Sequence, residues 1–150
     1  LCKTGGKNEY IEKYKSIQIE NSIPEANIAS NLARIYSEAG NLDKAEDYYR
    51  KALTLEPEKP GRYSRLAYFL IDNERNIDEG MELINRALES QPDNYIYLDT
   101  KGWGLFKQGK YIEALKFLVK ADSLKPIYFY ELDLHLEEAK KAVANPKSEH

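Results

Sequence analysis

One cysteine, one tryptophan and two histidines among 150 residues leave little for chemistry that needs a reactive or metal-binding side chain. Cys2 has no second thiol with which to close a disulfide, so cysteine usage assigns no redox compartment. No apolar run approaches the roughly 20 residues that a membrane-spanning helix requires. A basic stripe is missing too: 22 Lys and Arg are scattered among 25 Asp and Glu, for a formal net charge of −3. Nucleic-acid binders draw much of their affinity from phosphate neutralisation, so this balance argues against nucleic acid as a partner. His135 and His150 lie far from any Cys or His at metal-ligand spacing, which argues against a metal. Gly5-Gly6-Lys7 is too short for a phosphate-cradling loop, and Glu137-Glu138 has the look of a solvated helix face. With no nucleophile, base or metal in evident reach of one another, the expectation is a chain that is no enzyme and needs no cofactor.

What the chain does have is repetition. Pro57, Pro92 and Pro126 lie 35 and 34 residues apart. Counting back from each, the same residue types recur in step: Ala52, Ala87 and Ala121, then Ala45, Gly80 and Ala114, then Ala33, Ala67 and Gly102. Larger apolar residues fill two further columns, Tyr49, Ile84 and Leu118, and Leu42, Ile77 and Tyr111. The middle copy carries one extra residue within Asp72-Asn73-Glu74-Arg75-Asn76, a polar stretch rich in turn formers. Insertions are absorbed in surface turns and shift the register inside a helix, so the break marks a loop between two helices in each copy.

Apolar spacing of three and four residues, as in Leu32, Ala33 and Tyr36, is helical. Gly40 and Gly109 suit the left-handed position that ends a first helix, and each proline closes a second helix. Ala and Gly at recurring places let helix axes approach closely, and each unit then contacts only its neighbours. A charged fraction of 31% beside a hydrophobic fraction of 42% suits such a thin array better than a sphere.

At this point the residues carry a family. The 34-residue period, the small-residue columns and the closing proline resemble the tetratricopeptide-repeat (TPR) signature over about residues 26–128. The third copy resembles it most plainly, in Gly102-Trp103-Gly104-Leu105-Phe106 through Tyr111, Ala114 and Leu115. Lys101 and Gly80 depart from the family's preferred Leu and Ala. The pentatricopeptide family, an RNA reader of similar period, is the nearest confusion; its arrays tend to be basic and its columns fit less well. The resemblance implies an all-α fold, a right-handed α-solenoid of antiparallel helix pairs, with repeats at 26–59, 60–94 and 95–128. Flanking these, a partial helix at 8–23 uses Tyr10, Ile11, Tyr14, Ile17 and Ile19, and a capping helix at 129–144 turns Leu132, Leu136, Ala139 and Val143 inward. One domain is expected over 8–144, with a ragged or disordered start at 1–7 and a tail at 145–150.

At 100° per residue, the face of each first helix opposite its packing face can be read directly. It holds Asn27, Asn31 and Arg34 in the first copy, Ser64, Arg65 and Tyr68 in the second, and Asp99, Thr100, Trp103 and Lys107 in the third. In the family this face lines the concave groove, which implies a peptide or helix of another protein as partner and an adaptor or scaffold role. Arg34 and Arg65 would grip carboxylates, Tyr68 and Trp103 would form an aromatic shelf, and Asn31, Ser64 and Thr100 would bond a peptide backbone. The bland alternatives are that Trp103 packs between helices and that the arginines pair with nearby acids. Chaperone-binding TPR domains resemble one another in a Lys, Asn and Arg clamp. Ser30, Arg34, Arg65, Ile96 and Thr100 stand at those positions here, so the clamp is absent. Self-association into a homo-oligomer, or service as an accessory domain of a larger protein, is the alternative function.

The start at Leu1 in place of Met is expected of a fragment or processed form. Leu1-Cys2 also fits the tail of a lipoprotein cleavage site, with Cys2 acylated, against the plainer reading of a surface thiol. Location is left unknown between cytoplasm and cell envelope, the second resting on the lipoprotein reading of Cys2. If the alanine columns are the helix contacts, Ala52→Leu overpacks one of them and costs roughly 1–3 kcal/mol. A chemical-unfolding midpoint unchanged from wild type would contradict that placement.

Overall fold

The computed structural model describes residues 4–145, with side chains from residue 9 onward. Among the described residues the chain forms eight helices and no strand: α1 (Thr4–Glu20), α2 (Glu25–Glu38), α3 (Leu42–Leu55), α4 (Pro60–Asp72), α5 (Ile77–Ser90), α6 (Tyr95–Lys107), α7 (Tyr111–Leu124) and α8 (Tyr130–Ala144). None of them is long and apolar enough to cross a membrane. The ragged start expected through residue 7 ends sooner, because α1 begins at Thr4 and Gly5-Gly6-Lys7 is helical backbone. Cys2 and His150 lie outside the described residues.

The turn inside each pair closes by one backbone motif. Gly40 and Gly109 adopt φ of 76° and 77°, and the amides one residue on reach back: Asn41 to the Tyr36 carbonyl and Lys110 to that of Leu105, both at 2.9 Å. This is the left-handed helix stop in which a glycine meets no Cβ penalty. In the middle copy Glu74 takes the same place at φ 52°, and the Arg75 amide bonds the Leu70 carbonyl at 3.0 Å. Arg75 is thus the extra residue, slipped in before Asn76. The side chains of Asn41 and Asn76 then cap the following helices, accepting from the amides of Lys44 and Glu79. Second helices stop one residue before each proline, at Glu56, Gln91 and Lys125. Pro60 opens α4, where its missing N–H costs nothing.

The chain divides into two compact units, Leu1–Arg62 and Tyr63–His150, where the sequence suggests one continuous body over 8–144. In the first, α2 packs along α3, and Ala33, Ala45 and Ala52 are fully or almost fully buried. The contact of α1 with α2 is slighter. Ile11 is buried, but Tyr10, Ile17 and Ile19 are exposed, so the inward face expected of that helix is narrower than its apolar residues imply. Arg62, the last residue of this unit, is buried and fully engaged. Its guanidinium donates to Glu56, to the Ser30 hydroxyl at 2.7 Å and to the Asn27 amide oxygen at 2.5 Å.

In the second unit α5 packs on α6, α6 on α7, and α8 on both α7 and α6. Leu98, Leu118, Ala121, Leu132, Leu136 and Ala139 form its distal core, so three of the four residues expected to turn α8 inward do so, and Val143 remains exposed. Gly80 shows why the alanine column is broken there. A Cβ at this position would lie 2.6 Å from Cγ1 of Ile71 and 3.1 Å from the Ala67 carbonyl oxygen. Ile71, fully buried, occupies the space that an alanine would need.

Two outcomes follow. Gly80→Ala gains up to about 1 kcal/mol of helix propensity but overpacks Ile71 at a cost of about 1–3 kcal/mol, so thermal unfolding shows a net loss. In the first unit, hydrogen bonds from Lys59 and then Arg62 hold the Glu56 carboxyl below its ordinary value of 4.5. A depressed carboxylate stabilises the fold above its ordinary pKa, and that contribution is lost as pH falls through the folded value. Glu56→Gln therefore unfolds earlier at neutral pH and loses less of its remaining stability between pH 5 and 3, about the carboxylate range, than wild type does; parallel acid limbs would contradict it.

Candidate functional site

The residues marked out by the helix faces separate into two groups. In the first unit, Asn27 is exposed and accepts from Arg62, and Asn31 is half-buried. Arg34 is exposed and donates to Glu38 one turn along its own helix at 2.7 Å. That bond raises the arginine's pKa further above its already high value. An exposed pair of this kind is weakly held and open to exchange for another carboxylate.

In the second unit three of the expected groove residues prove to be interior. Ser64 is buried; Thr100 is 1% exposed and donates its hydroxyl to the Ile96 carbonyl of its own helix at 3.0 Å. Buried as they are, neither hydroxyl is open to a peptide backbone. Asp99 is 2% exposed, and its Oδ1 lies 2.8 Å from Nδ1 of His135 on α8. With the carboxyl ionised, and so only an acceptor, the hydrogen of that bond is the one on Nδ1. Burial pushes the Asp99 carboxyl up from its ordinary range, and the bond and charge of His135 act against the rise.

The remaining residues of this unit do reach the surface. Trp103 is half-buried: its indole N–H donates to Asp72 of α4 at 3.0 Å, and its ring stacks on His135 (centroids 4.2 Å, planes 15° apart) and on Phe106 (4.9 Å, 9°). Lys107 lies over the same indole at 4.9 Å and bonds Glu74 at 2.6 Å. Tyr68, half-buried on α4, does not stack on Trp103; it tilts against His135 at 6.2 Å. The expected aromatic shelf is therefore a Tyr68, His135, Trp103 run with the histidine in its middle. Burial first, then the carboxylates of Asp72, Asp99 and Glu131, drive the Tyr68 hydroxyl well above its ordinary range. Arg65 is exposed one turn before Tyr68, with no carboxylate partner among the described residues; its charge counters the burial that raises Tyr97.

His135 is the residue that reading the face misses. Counted from the closing proline of the preceding copy it is the ninth residue, the place of Leu66 in α4 and Lys101 in α6, beside the packing column of Ala67 and Gly102. Treating α8 as a terminal cap hid that equivalence, which the sequence does contain.

Antiparallel helix pairs recurring at a fixed period define a helical-repeat protein. The family follows from comparison. Residues 26–59 match the tetratricopeptide-repeat family. A TPR repeat-containing protein of Methanocaldococcus jannaschii is 37% identical over 110 residues, covering 73% of this chain and 18% of its own length. One of Pseudomonas aeruginosa is 28% identical over 114 residues, covering 76% of this chain and 19% of its own. The chain thus spans less than a fifth of the length of these two relatives. The solved structure of the first TPR domain of Spaghetti (RPAP3), bound to the HSP90 peptide SRMEEVD, is similar in fold, with a TM-score of 0.67 at 22% identity over 80% of this chain and 94% of that one. The chain belongs to the tetratricopeptide-repeat family.

The hydrogen bond between Trp103 and Asp72 is open to direct measurement. Trp103→Phe keeps a ring to stack on His135 and removes the donor, and is expected to cost about 0.5–1.5 kcal/mol in chemical unfolding. An unaltered stability would mean that water serves Asp72 equally well.

Proposed function

We propose that this chain is a non-catalytic interaction module, an adaptor or scaffold that holds an extended segment or a helix of another protein on the face where α4 and α6 present Arg65, Tyr68, Trp103 and Lys107. The observation that carries this reading is Arg65: an exposed guanidinium without a carboxylate partner among the described residues, one turn from a half-buried tyrosine. Guanidinium and aromatic groups together are the side chains most often responsible for binding energy at protein interfaces. Free guanidinium groups favour carboxylates, which they hold bidentately, so the segment proposed carries an acidic side chain beside an apolar or aromatic one.

Proteins of the same fold support the class of activity. The first TPR domain of Spaghetti (RPAP3) is bound to the HSP90 peptide SRMEEVD, and the second TPR domain of human RPAP3 is in complex with the HSP70 peptide SGPTIEEVD. Those peptides are not proposed here as ligands. The Lys and Asn positions of the chaperone clamp are taken by Ser30, Arg34, Arg65, Ile96 and Thr100, and Thr100 is interior.

The test is affinity capture from a native lysate on the wild-type chain and on Arg65→Ala/Trp103→Ala, with circular dichroism to check that both fold alike. Truncating a hot-spot residue costs about 2 kcal/mol or more, so a protein retained by wild type is expected to fall by at least about tenfold on the double variant. Equal recovery on both would move the interface off this face, and the absence of any specific protein would favour self-association, read independently as mass that rises with concentration.

A further inference from the structure

Two apolar features, one in each compact unit, are left uncovered by the fold and include none of Arg65, Tyr68, Trp103 and Lys107. One protrudes and the other is hollow. We propose that they meet between molecules: the loop joining α7 to α8 seats Ile127 and Tyr128 in the groove between α1 and α3 of a second molecule of this same chain.

The protrusion shows first in the repeat. After their closing prolines the first two copies continue with Glu58-Lys59 and Asp93-Asn94, and the third with Ile127-Tyr128. Polar residues serve that turn twice over, so the fold does not demand an apolar pair there. Ile127 and Tyr128 are 69% and 71% exposed, and Leu124 and Tyr130 on either side are exposed as well. The loop is nonetheless held. Lys125 bonds Asp122 of α7 at 2.7 Å and Asp133 of α8 at 2.6 Å, and Phe129 meets Tyr95 edge to face at 5.8 Å, packed against the distal core. A tip tied in this way has little freedom left to lose on association.

The hollow goes with the slight contact of α1 on α2. A groove of about 390 Å³ lies between α1 and α3, with Ile28 and Leu32 of α2 buried at its floor and Ile19, Ile23, Lys15 and Lys51 among its walls. A cavity of about 150 Å³ takes a benzene ring, so an isoleucine and a tyrosine have room together. A neighbouring recess shares Lys15, Tyr48 and Lys51 and adds Lys44 and Asp47. Lys15 and Lys51 are tied to Glu12 and Glu25 at 2.8 and 2.7 Å, in surface pairs open to exchange. Lys44 lies over the Tyr36 ring at 5.2 Å and has no carboxylate partner among the described residues, Asp47 included. The free charge at the tip is the opposite one: Glu131, exposed beside Tyr130, has no cationic partner among the described residues. An apolar tip beside a free acid and an apolar groove beside a free base answer each other. A tip and a groove on one molecule make a contact that repeats from molecule to molecule.

Sedimentation equilibrium of the intact chain tests this, across about 10 µM to 1 mM, where contacts of limited area dissociate. Wild type is expected to gain mass with concentration. The tip variant, Ile127→Asp/Tyr128→Asn, takes the residues that follow Pro92 in the second copy. The groove variant, Ile19→Glu/Lys44→Glu, changes exposed residues only. Each variant alone is expected to stay at the mass of one chain. Mixed in equal amounts they gain mass again and stop at two chains, because each supplies the surface the other lacks. Wild type at one-chain mass throughout overturns the proposal and leaves the groove to a segment of another protein. Gain of mass by either variant alone overturns it as well, and in the groove variant would mean tip against tip; so does a mixture that stays at one-chain mass. Circular dichroism checks that the variants fold. Should the groove variant lose helix, charge reversal takes its place: Lys44→Glu and Glu131→Lys each weaken association by up to about fivefold, and the double variant recovers it. No recovery overturns the proposal. None of these substitutions touches Arg65, Tyr68, Trp103 or Lys107, so failure here leaves the binding reading standing, and a failed capture leaves this contact standing.

Discussion

Close approach of helix backbones is the constraint on which the rest of this structure depends. Alanine at 33, 45 and 52 in the first unit, and alanine or glycine at 67, 80, 87, 102, 114 and 121 in the second, are buried to the point of vanishing exposure. Side chains no larger than a methyl group at these places allow ridges of Leu and Ile to enter the facing grooves. A close fit of this kind tolerates little: Ile71, with no measurable exposure, fills the room that the usual alanine at position 80 would take. One large residue on α4 therefore dictates a glycine on α5, and the repeat pattern bends to the packing.

That closeness has a consequence for polar groups. Helices this near one another cover side chains that an isolated helix would leave wet, and each covered group then needs a partner inside. The second unit answers with Asp99 on His135 and Thr100 on the Ile96 carbonyl; the first answers with Arg62 on Glu56, Ser30 and Asn27. No buried side-chain nitrogen or oxygen among the described residues lacks a partner. Thr100 is satisfied within its own helix, whereas Asp99 with His135 and Arg62 with Ser30 and Asn27 join different helices, and the first of these pairs carries the ring that touches Trp103.

How far the chain could be read in advance depends on what each feature needs. The helix pairs were legible because small residues recur in step and because Asn and Pro punctuate the ends; both are local signals. The turn at Glu74 was legible as a turn and not as a left-handed stop, since glutamate carries no mark of the conformation it adopts there. The faces of the first helices were legible as directions. A helical wheel says which way Ser64 and Thr100 point and is silent on what lies above them, so their burial could not be read. His135 was hidden for a different reason: its partner is 36 residues away, and the meaning of the pair appears only when α8 is counted as another first helix. On α1, exposed Ile17 and Ile19 show that an apolar residue on a helix is no guarantee of a neighbour to cover it.

The turn between α4 and α5 carries an implication for how such chains change over generations. Its closing bond is made by backbone atoms, the Arg75 amide on the Leu70 carbonyl, and it tolerates glutamate at the left-handed position where the other copies have glycine. An added residue between that bond and the Asn76 cap leaves both flanking helices in phase with their neighbours. Length is therefore a free variable at the tips and a fixed one along the helices. Copies of this unit are at liberty to drift apart in size and tip chemistry while remaining mechanically interchangeable, and a segment gained at such a tip would be inherited without a cost to the fold beneath it.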